Sequence, residues 1–157
     1  MNPLESAEQH THRFLDAMGY KRFSPTETKE REGRIFVALS VNRPRDLIGE
    51  RGATLRSFQH LVRLAVSKQV GVPVRVDIDI NQYKQKRAEF LADFARRIGE
   101  RVRFEKRDIE LEPMSAFDRR VIHSTLAEYT DLMTTSAGAE PHRFITVGPY
   151  KPEEGNA

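Results

Sequence analysis

Apolar residues change their spacing several times along this 157-residue chain, and each change marks an element. Leu4 to Met18 reads as a helix, with Phe14, Leu15 and Met18 on one face and Gly19 as its stop. Tyr20 to Thr28 reads as a short strand and Glu30 to Gly33 as a polar turn. Ile35, Val37, Leu39 and Val41 then occupy every second position, the period of a half-buried strand, so the pair predicts a hairpin. Asn42-Arg43-Pro44-Arg45 breaks the strand because proline brings no N–H to a ladder, and Asp46-Leu47-Ile48 forms a short helical turn. Leu55, Phe58, Leu61, Val62, Ala65 and Val66 recur at helical spacing, predicting a helix from about Ala53 to Gln69 that Gly71 and Pro73 terminate. Val74, Val76, Ile78 and Ile80 alternate with charged residues as a third strand.

After Asn81 the period lengthens to about 3.6. Tyr83, Arg87, Phe90, Leu91, Phe94, Ile98 and Val102 form one stripe of a long helix that joins the two halves, with both phenylalanines, like Phe58 and Leu61, expected in the core. Ile109 and Leu111 mark a strand that Glu112-Pro113 ends. Ser115 fits an N-cap, with Asp118 adding negative charge to the first turn of a helix running to about Tyr129. Leu132 to Ser136 is a weaker strand, 137–141 a loop, and His142 to Val147 the closing strand. The chain therefore reads as α+β: a first domain over 1–81, a smaller α/β domain over 82–148 that includes the bridging helix, and a loose polar tail over 149–157.

Composition narrows the classes. Hydrophobic residues make up 38% and aromatics 8%, without tryptophan, so the core is expected to be aliphatic and modest. No apolar run approaches the roughly 18 residues of a membrane span, and the start of the chain does not read as a secretory signal. The absence of cysteine excludes disulfides and thiolate metal sites. A cytoplasmic location is expected. The net charge is only +3, yet nine bases between Lys84 and Arg107 face four acids. That stretch would attract polyanions, and it reads equally as a solvated helix face whose arginine stems cover apolar surface.

The most informative tetrad is Gly49-Glu50-Arg51-Gly52, set between an alternating strand and an apolar helix. Two glycines three apart at a helix entry allow close backbone approach, and the first-turn N–H groups favour an anion. Arg43, Arg45, Arg51 and Arg56 surround the loop and offset Glu50, whose carboxylate repels a phosphate by only a few tenths of a kcal/mol when solvated. Ile48 and Leu55, with the neighbouring strand, would line an apolar groove for splayed bases. In the second half, Arg119 and His123 are four apart and share a helix face with Arg120 adjacent, so they can address one nucleotide together. His10 and His12 fall about 200° apart around a helix, poor geometry for one metal. No nucleophile motif, P-loop or carboxylate metal cluster stands out, so no catalytic residue, metal or cofactor is expected.

The order helix, strand, strand, short helix, Ile48-Gly49-Glu50-Arg51-Gly52, helix, strand resembles a KH domain of the bacterial α-β-β-α-α-β topology, whose GxxG loop clamps four nucleotides of backbone. Arg119-Arg120-Val121-Ile122-His123, with Glu110 to Met114 before it and Thr135 to Gly138 and Pro141-His142-Arg143 after it, resembles the R-3-H domain, a module associated with single-stranded nucleic acid. The two in this order resemble the Jag family of SpoIIIJ-associated, KhpB- or EloR-like bacterial proteins over about residues 4 to 148. The resemblance implies a non-catalytic binder of single-stranded RNA or single-stranded DNA. It places backbone clamping on Gly49 and Gly52 and nucleotide contact on Arg119 and His123, with Ile48, Glu50, Arg51, Arg45, Arg56, Arg120 and Arg143 in the surrounding sites. It further implies pairing with a small single-KH protein or a second copy, and links to cell elongation and division. Family members often carry a further N-terminal domain; the sequence starts at the KH helix, so recruitment through that domain is not expected. A scaffold using the KH fold to pair with another protein is the alternative, and Glu50 favours it.

Overall fold

The computed structural model describes residues 2–152, apart from the side chain of Thr26. These residues divide into two compact units, one ending at Lys84 and the other beginning at Gln85, inside the first turn of a long helix.

In the first unit, α1 (Pro3–Ala17), β1 (Phe23–Arg31), β2 (Arg34–Val41), α2 (Pro44–Ile48), α3 (Ala53–Val70) and β3 (Arg75–Ile80) follow in the expected order. A single 3-10 turn over Glu50–Gly52 joins α2 to α3. The central strand β2 pairs antiparallel with β1 and parallel with β3. Ile35, Val37, Leu39 and Val41 bury on one face with Val76, Ile78 and Ile80, under Leu15 of α1 and Leu55, Phe58, Val62 and Val66 of α3. Burying each such leucine or valine contributes about 1.5–3 kcal/mol, so the helices are held chiefly by this shared face. Asn81 closes the far end of the sheet: its side chain accepts from Val41 N at 2.9 Å and donates to Val41 O at 3.1 Å. Ser6 Oγ donates to Gln69 Oε1 at 2.7 Å, tying α1 to the end of α3.

The second unit contains most of α4 (Tyr83–Glu105), then β4 (Ile109–Glu110), α5 (Ala116–Leu126), β5 (Leu132–Ala137) and β6 (Phe144–Pro149). Its sheet has the order β4-β6-β5, antiparallel throughout. Leu91, Ala95 and Val102 of α4, Ile122 and Leu126 of α5, and Leu132, Ile145 and Val147 of the sheet form its core. Gly99 permits the close approach of α4, since a Cβ there would come within 2.9 Å of Leu132 Cδ1. The Ser115 hydroxyl caps α5 by accepting from Asp118 N at 3.3 Å, as its position suggested. The Asp118 carboxylate, 2% exposed, takes a 2.7 Å ion pair from Arg87 Nη2, which fastens the start of α5 to α4.

Several core expectations are corrected. The buried stripe of α1 runs through Ala7, Thr11 and Leu15, leaving Met18 half-exposed beyond the helix end. Leu61 and Phe90 are each 55% exposed, because the neighbouring positions Val62 and Leu91 take the inward faces of α3 and α4. The first strand begins at Phe23 rather than Tyr20 and runs to Arg31, leaving Glu32 and Gly33 at the turn. The ordered chain extends further than the expected start of the tail: Pro149 ends β6, and Tyr150 N donates to Asp131 O at 2.9 Å. The rest of the expected tail, 153–157, lies outside the described residues.

Candidate nucleic-acid interface

The first candidate site is the α2–α3 junction. The chain leaves α2 at Gly49 with φ 72° and ψ −177°, and both Arg51 (φ 50°) and Gly52 (φ 79°) adopt left-handed conformations. Gly49 N closes back on Arg45 O at 2.9 Å, and Gly52 N on Gly49 O at 3.3 Å. Both glycines are needed, although the reason differs from simple openness towards a ligand. A Cβ on Gly49 would fall 2.2 Å from Thr54 Oγ1, and one on Gly52 would fall 2.9 Å from the Tyr83 ring. The space beside each glycine is filled by the protein's own side chains, and Gly52 is buried. Glu50 and Arg51 are the exposed members of the tetrad. Among the described residues no side chain caps the N-terminus of α3, an 18-residue helix whose first-turn dipole favours negative charge at this corner.

Arg43 and Arg45 are exposed on the entry side of the loop. Arg56, one turn into α3, donates from Nη1 to Arg51 O at 2.8 Å and so holds a guanidinium against the loop. Ile48 is half-buried and packs on the core, while Leu55 is 3% exposed. Leu55 therefore does not line the apolar groove expected there: it points inward because its helical position is shared with Phe58 and Val62. A groove of about 330 Å³ runs beside α3 against β3, lined on the helix side by Arg56, Gln59, His60 and Arg63. These residues follow i, i+3, i+4 and i+7 spacing, a polar stripe that was readable in the sequence behind the apolar one. Gln59 also accepts from Ile78 N at 2.9 Å, which satisfies part of the outer edge of β3.

The second candidate site lies on α5 and the adjoining strands. Arg119 is drawn inward, with its side chain 11% exposed. Its Nη1 donates to Met114 O at 2.6 Å and its Nη2 to Glu140 Oε1 at 2.6 Å. His123 is exposed, with Nδ1 2.5 Å from Thr134 Oγ1, and Arg143 donates from Nε to Ser136 Oγ at 2.9 Å. Arg120 is exposed on α5. The unit thus brings His123 and Arg143 to hydroxyls of β5, while Arg119 reaches Glu140 in the loop that follows that strand. The roles of Glu140, Thr134 and Ser136 were missed, because single hydroxyls and a loop carboxylate carry no periodic signal.

The basic stretch of α4 is largely committed to ion pairs. Arg96 meets Asp93, Arg101 and Arg107 share Glu105, Arg103 meets Asp131, Arg87 meets Asp118, and Lys84 meets Asp77. The hydrogen bond from Arg103 holds the Asp131 carboxyl below its ordinary value, and those from Arg101 and Arg107 do the same for Glu105. Of the two readings of this segment, the structure favours a paired helix surface. Among the described residues no helix is long and apolar enough to cross a membrane, and no group of three or more metal-ligating residues comes together.

Residues 89–149 match the R-3-H domain family. The chain is 35% identical to a protein named RNA-binding protein KhpB from Clostridium symbiosum, over 91% of this chain and 64% of that protein. It is 28% identical to RNA-binding protein KhpB of Bacillus subtilis, over 94% of this chain and 71% of that one. Over most of its length the chain is thus similar to KhpB proteins, and its second half matches the R-3-H family. A KhpB from Streptococcus pneumoniae is 30% identical across 72% of this chain but only 34% of its own length, so the chain spans between a third and under three quarters of these relatives. The matched R-3-H segment begins within α4 and covers Arg119 and His123.

Proposed function

We propose that the chain binds single-stranded RNA without catalysing its reaction, using a KH-type first unit and the R-3-H second unit. The observation that carries this reading is the junction of Gly49 to Gly52, where an uncapped helix start, exposed Arg45 and Arg51 and the tethered Arg56 converge. The α-β-β-α-α-β order with a parallel β2–β3 pair supports the KH reading. The sugar-phosphate chain approaches from the exposed Glu50–Arg51 side, and Gly49 and Gly52 set the loop's shape from beneath. The strand then follows the groove along Arg56, His60 and Arg63. Arg120, His123 and Arg143 supply a second patch, and two linked weak sites gain affinity through effective concentration. A cytoplasmic role in post-transcriptional control of cell elongation or division is the finer part of the proposal. Single-stranded DNA would satisfy the same phosphate contacts.

A protein-pairing scaffold is the second reading, favoured by Glu50 in the loop and by exposed Leu61, Leu64 and Val72 on the first unit. Its partner would be another KH protein or a second copy. Ultraviolet crosslinking in cells separates the two. RNA recovered with the protein supports binding, whereas recovery of protein partners with no RNA above background overturns it.

A further inference from the structure

The exposed face of the first sheet carries a row of like charges. Arg31 on β1 pairs in register with Arg34 on β2, and Arg34 pairs in register with Arg75 on β3. All three are exposed, on the face opposite the core. Neighbouring strands lie about 4.8 Å apart, so the row places three guanidinium stems across roughly 10 Å. Like charges directly opposite on adjacent strands destabilise a sheet, and three in line compound the effect. Only Arg34 is offset by a side-chain partner among the described residues: it meets Asp77 Oδ2 at 3.1 Å, and Asp77 is itself shared with Lys84. Glu30 and Glu32 flank Arg31 in sequence, but Glu30 pairs opposite Ile35 on the other face and Glu32 lies in the turn.

The row lies where the groove along α3 runs out. From Gly52 to Arg63 the helix rises roughly 16 Å. Arg34 and Arg75 line this groove with Arg63, and Arg75 and Arg63 also line the hollow at the far end of α3. A loop of the GxxG kind holds about four nucleotides. A longer strand that continues along α3 past the clamped nucleotides meets the arginine row at this end.

We propose that Arg31, Arg34 and Arg75 form a phosphate-binding row that holds the RNA beyond the nucleotides clamped at the GxxG loop. The inference rests on the RNA-binding reading above and extends its footprint onto the open sheet face. The contact is to backbone phosphate, since a row of guanidinium groups on a flat strand surface offers charge without a pocket for a base.

The test compares wild type with Arg31→Gln/Arg75→Gln, which leaves the Arg34–Asp77 pair intact, on single-stranded RNAs of about four and about twelve nucleotides. The variant is expected to bind the longer RNA roughly tenfold more weakly, with its salt slope reduced by about 0.7 for each lost phosphate contact. The short RNA is expected to bind both proteins alike, and the variant should melt no lower than wild type because a repulsive row has been relieved. Arg31→Lys/Arg75→Lys is expected to keep most of the long-RNA affinity. Equal affinity of the glutamine variant and wild type for the long RNA overturns the row, as does a lysine variant as weak as the glutamine one. A wild type that binds neither RNA overturns the underlying reading instead.

Discussion

Arg119 Nη2 and Glu140 Oε1 lie 2.6 Å apart, across 21 residues of sequence, so the signature arginine of the second unit is already partnered by a carboxylate. Glu140 is largely exposed whereas Arg119 is not. A phosphate arriving at this corner would therefore replace an acid, rather than find a free guanidinium. Glu140→Gln is predicted to tighten RNA binding roughly two- to fivefold, the range of a mostly exposed ion pair. Weaker binding by that variant would show that the pair only shapes the loop. Arg119→Ala also loses the bond to Met114 O and should cost about 1 kcal/mol, lowering the melting temperature by roughly 4–8 °C for a unit of this size.

Gly49 and Gly52 are predicted to be structural as well as functional. Alanine at either combines a left-handed backbone with overlap on Thr54 or Tyr83, an expected loss of about 2–4 kcal/mol in thermal or urea unfolding. Acidic substitutions at the glycines would thus confuse lost binding with lost folding. Glu50→Ala, at an exposed site, should change stability by less than about 0.5 kcal/mol. Equal unfolding midpoints for Gly52→Ala and wild type would contradict the packing of Tyr83 against that position.

The Arg87–Asp118 pair organises the start of α5. Removing the arginine strands a buried carboxylate, so Arg87→Ala should destabilise the second unit by about 3 kcal/mol. Adding Asp118→Asn to Arg87→Ala should recover part of that loss. A double variant as unstable as the sum of the single ones would show that the two groups do not interact.

Acid should loosen the Arg103–Asp131 contact. Because Arg103 lowers the Asp131 pKa from 3.8, the contribution is fully present above that value and is lost as pH falls through the depressed one. Melting temperatures followed from pH 5 to pH 2 should therefore decline less steeply for Asp131→Asn than for wild type. Parallel curves would remove Asp131 from the acid response.

The periodicities made the elements legible because each buries one face on a common core: alternation over Ile35 to Val41 and Val76 to Ile80, and helical spacing over Leu55 to Val66. The Ser115 cap was legible for a local reason, since a hydroxyl three residues before a free N–H suffices. Which of two adjacent apolar residues turns inward was not, as Leu61 and Phe90 show, because that depends on the tilt of the helix over the sheet. The candidate residues could be named but their surroundings could not. Glu140 reaches Arg119 from a loop, Thr54 and Tyr83 fill the space beside the glycines, and Arg31, Arg34 and Arg75 align only through strand register. Contacts of that kind arise from tertiary structure and leave no spacing to read.

The central claim is that a polynucleotide lies against the exposed Glu50–Arg51 side of the loop entering α3. Arg51→Asp tests it most directly, because aspartate tolerates the left-handed conformation at that position while the charge reverses. Fluorescence-anisotropy titration of a labelled single-stranded RNA should show binding roughly tenfold weaker than wild type. Unaltered affinity in a folded Arg51→Asp variant would contradict the account.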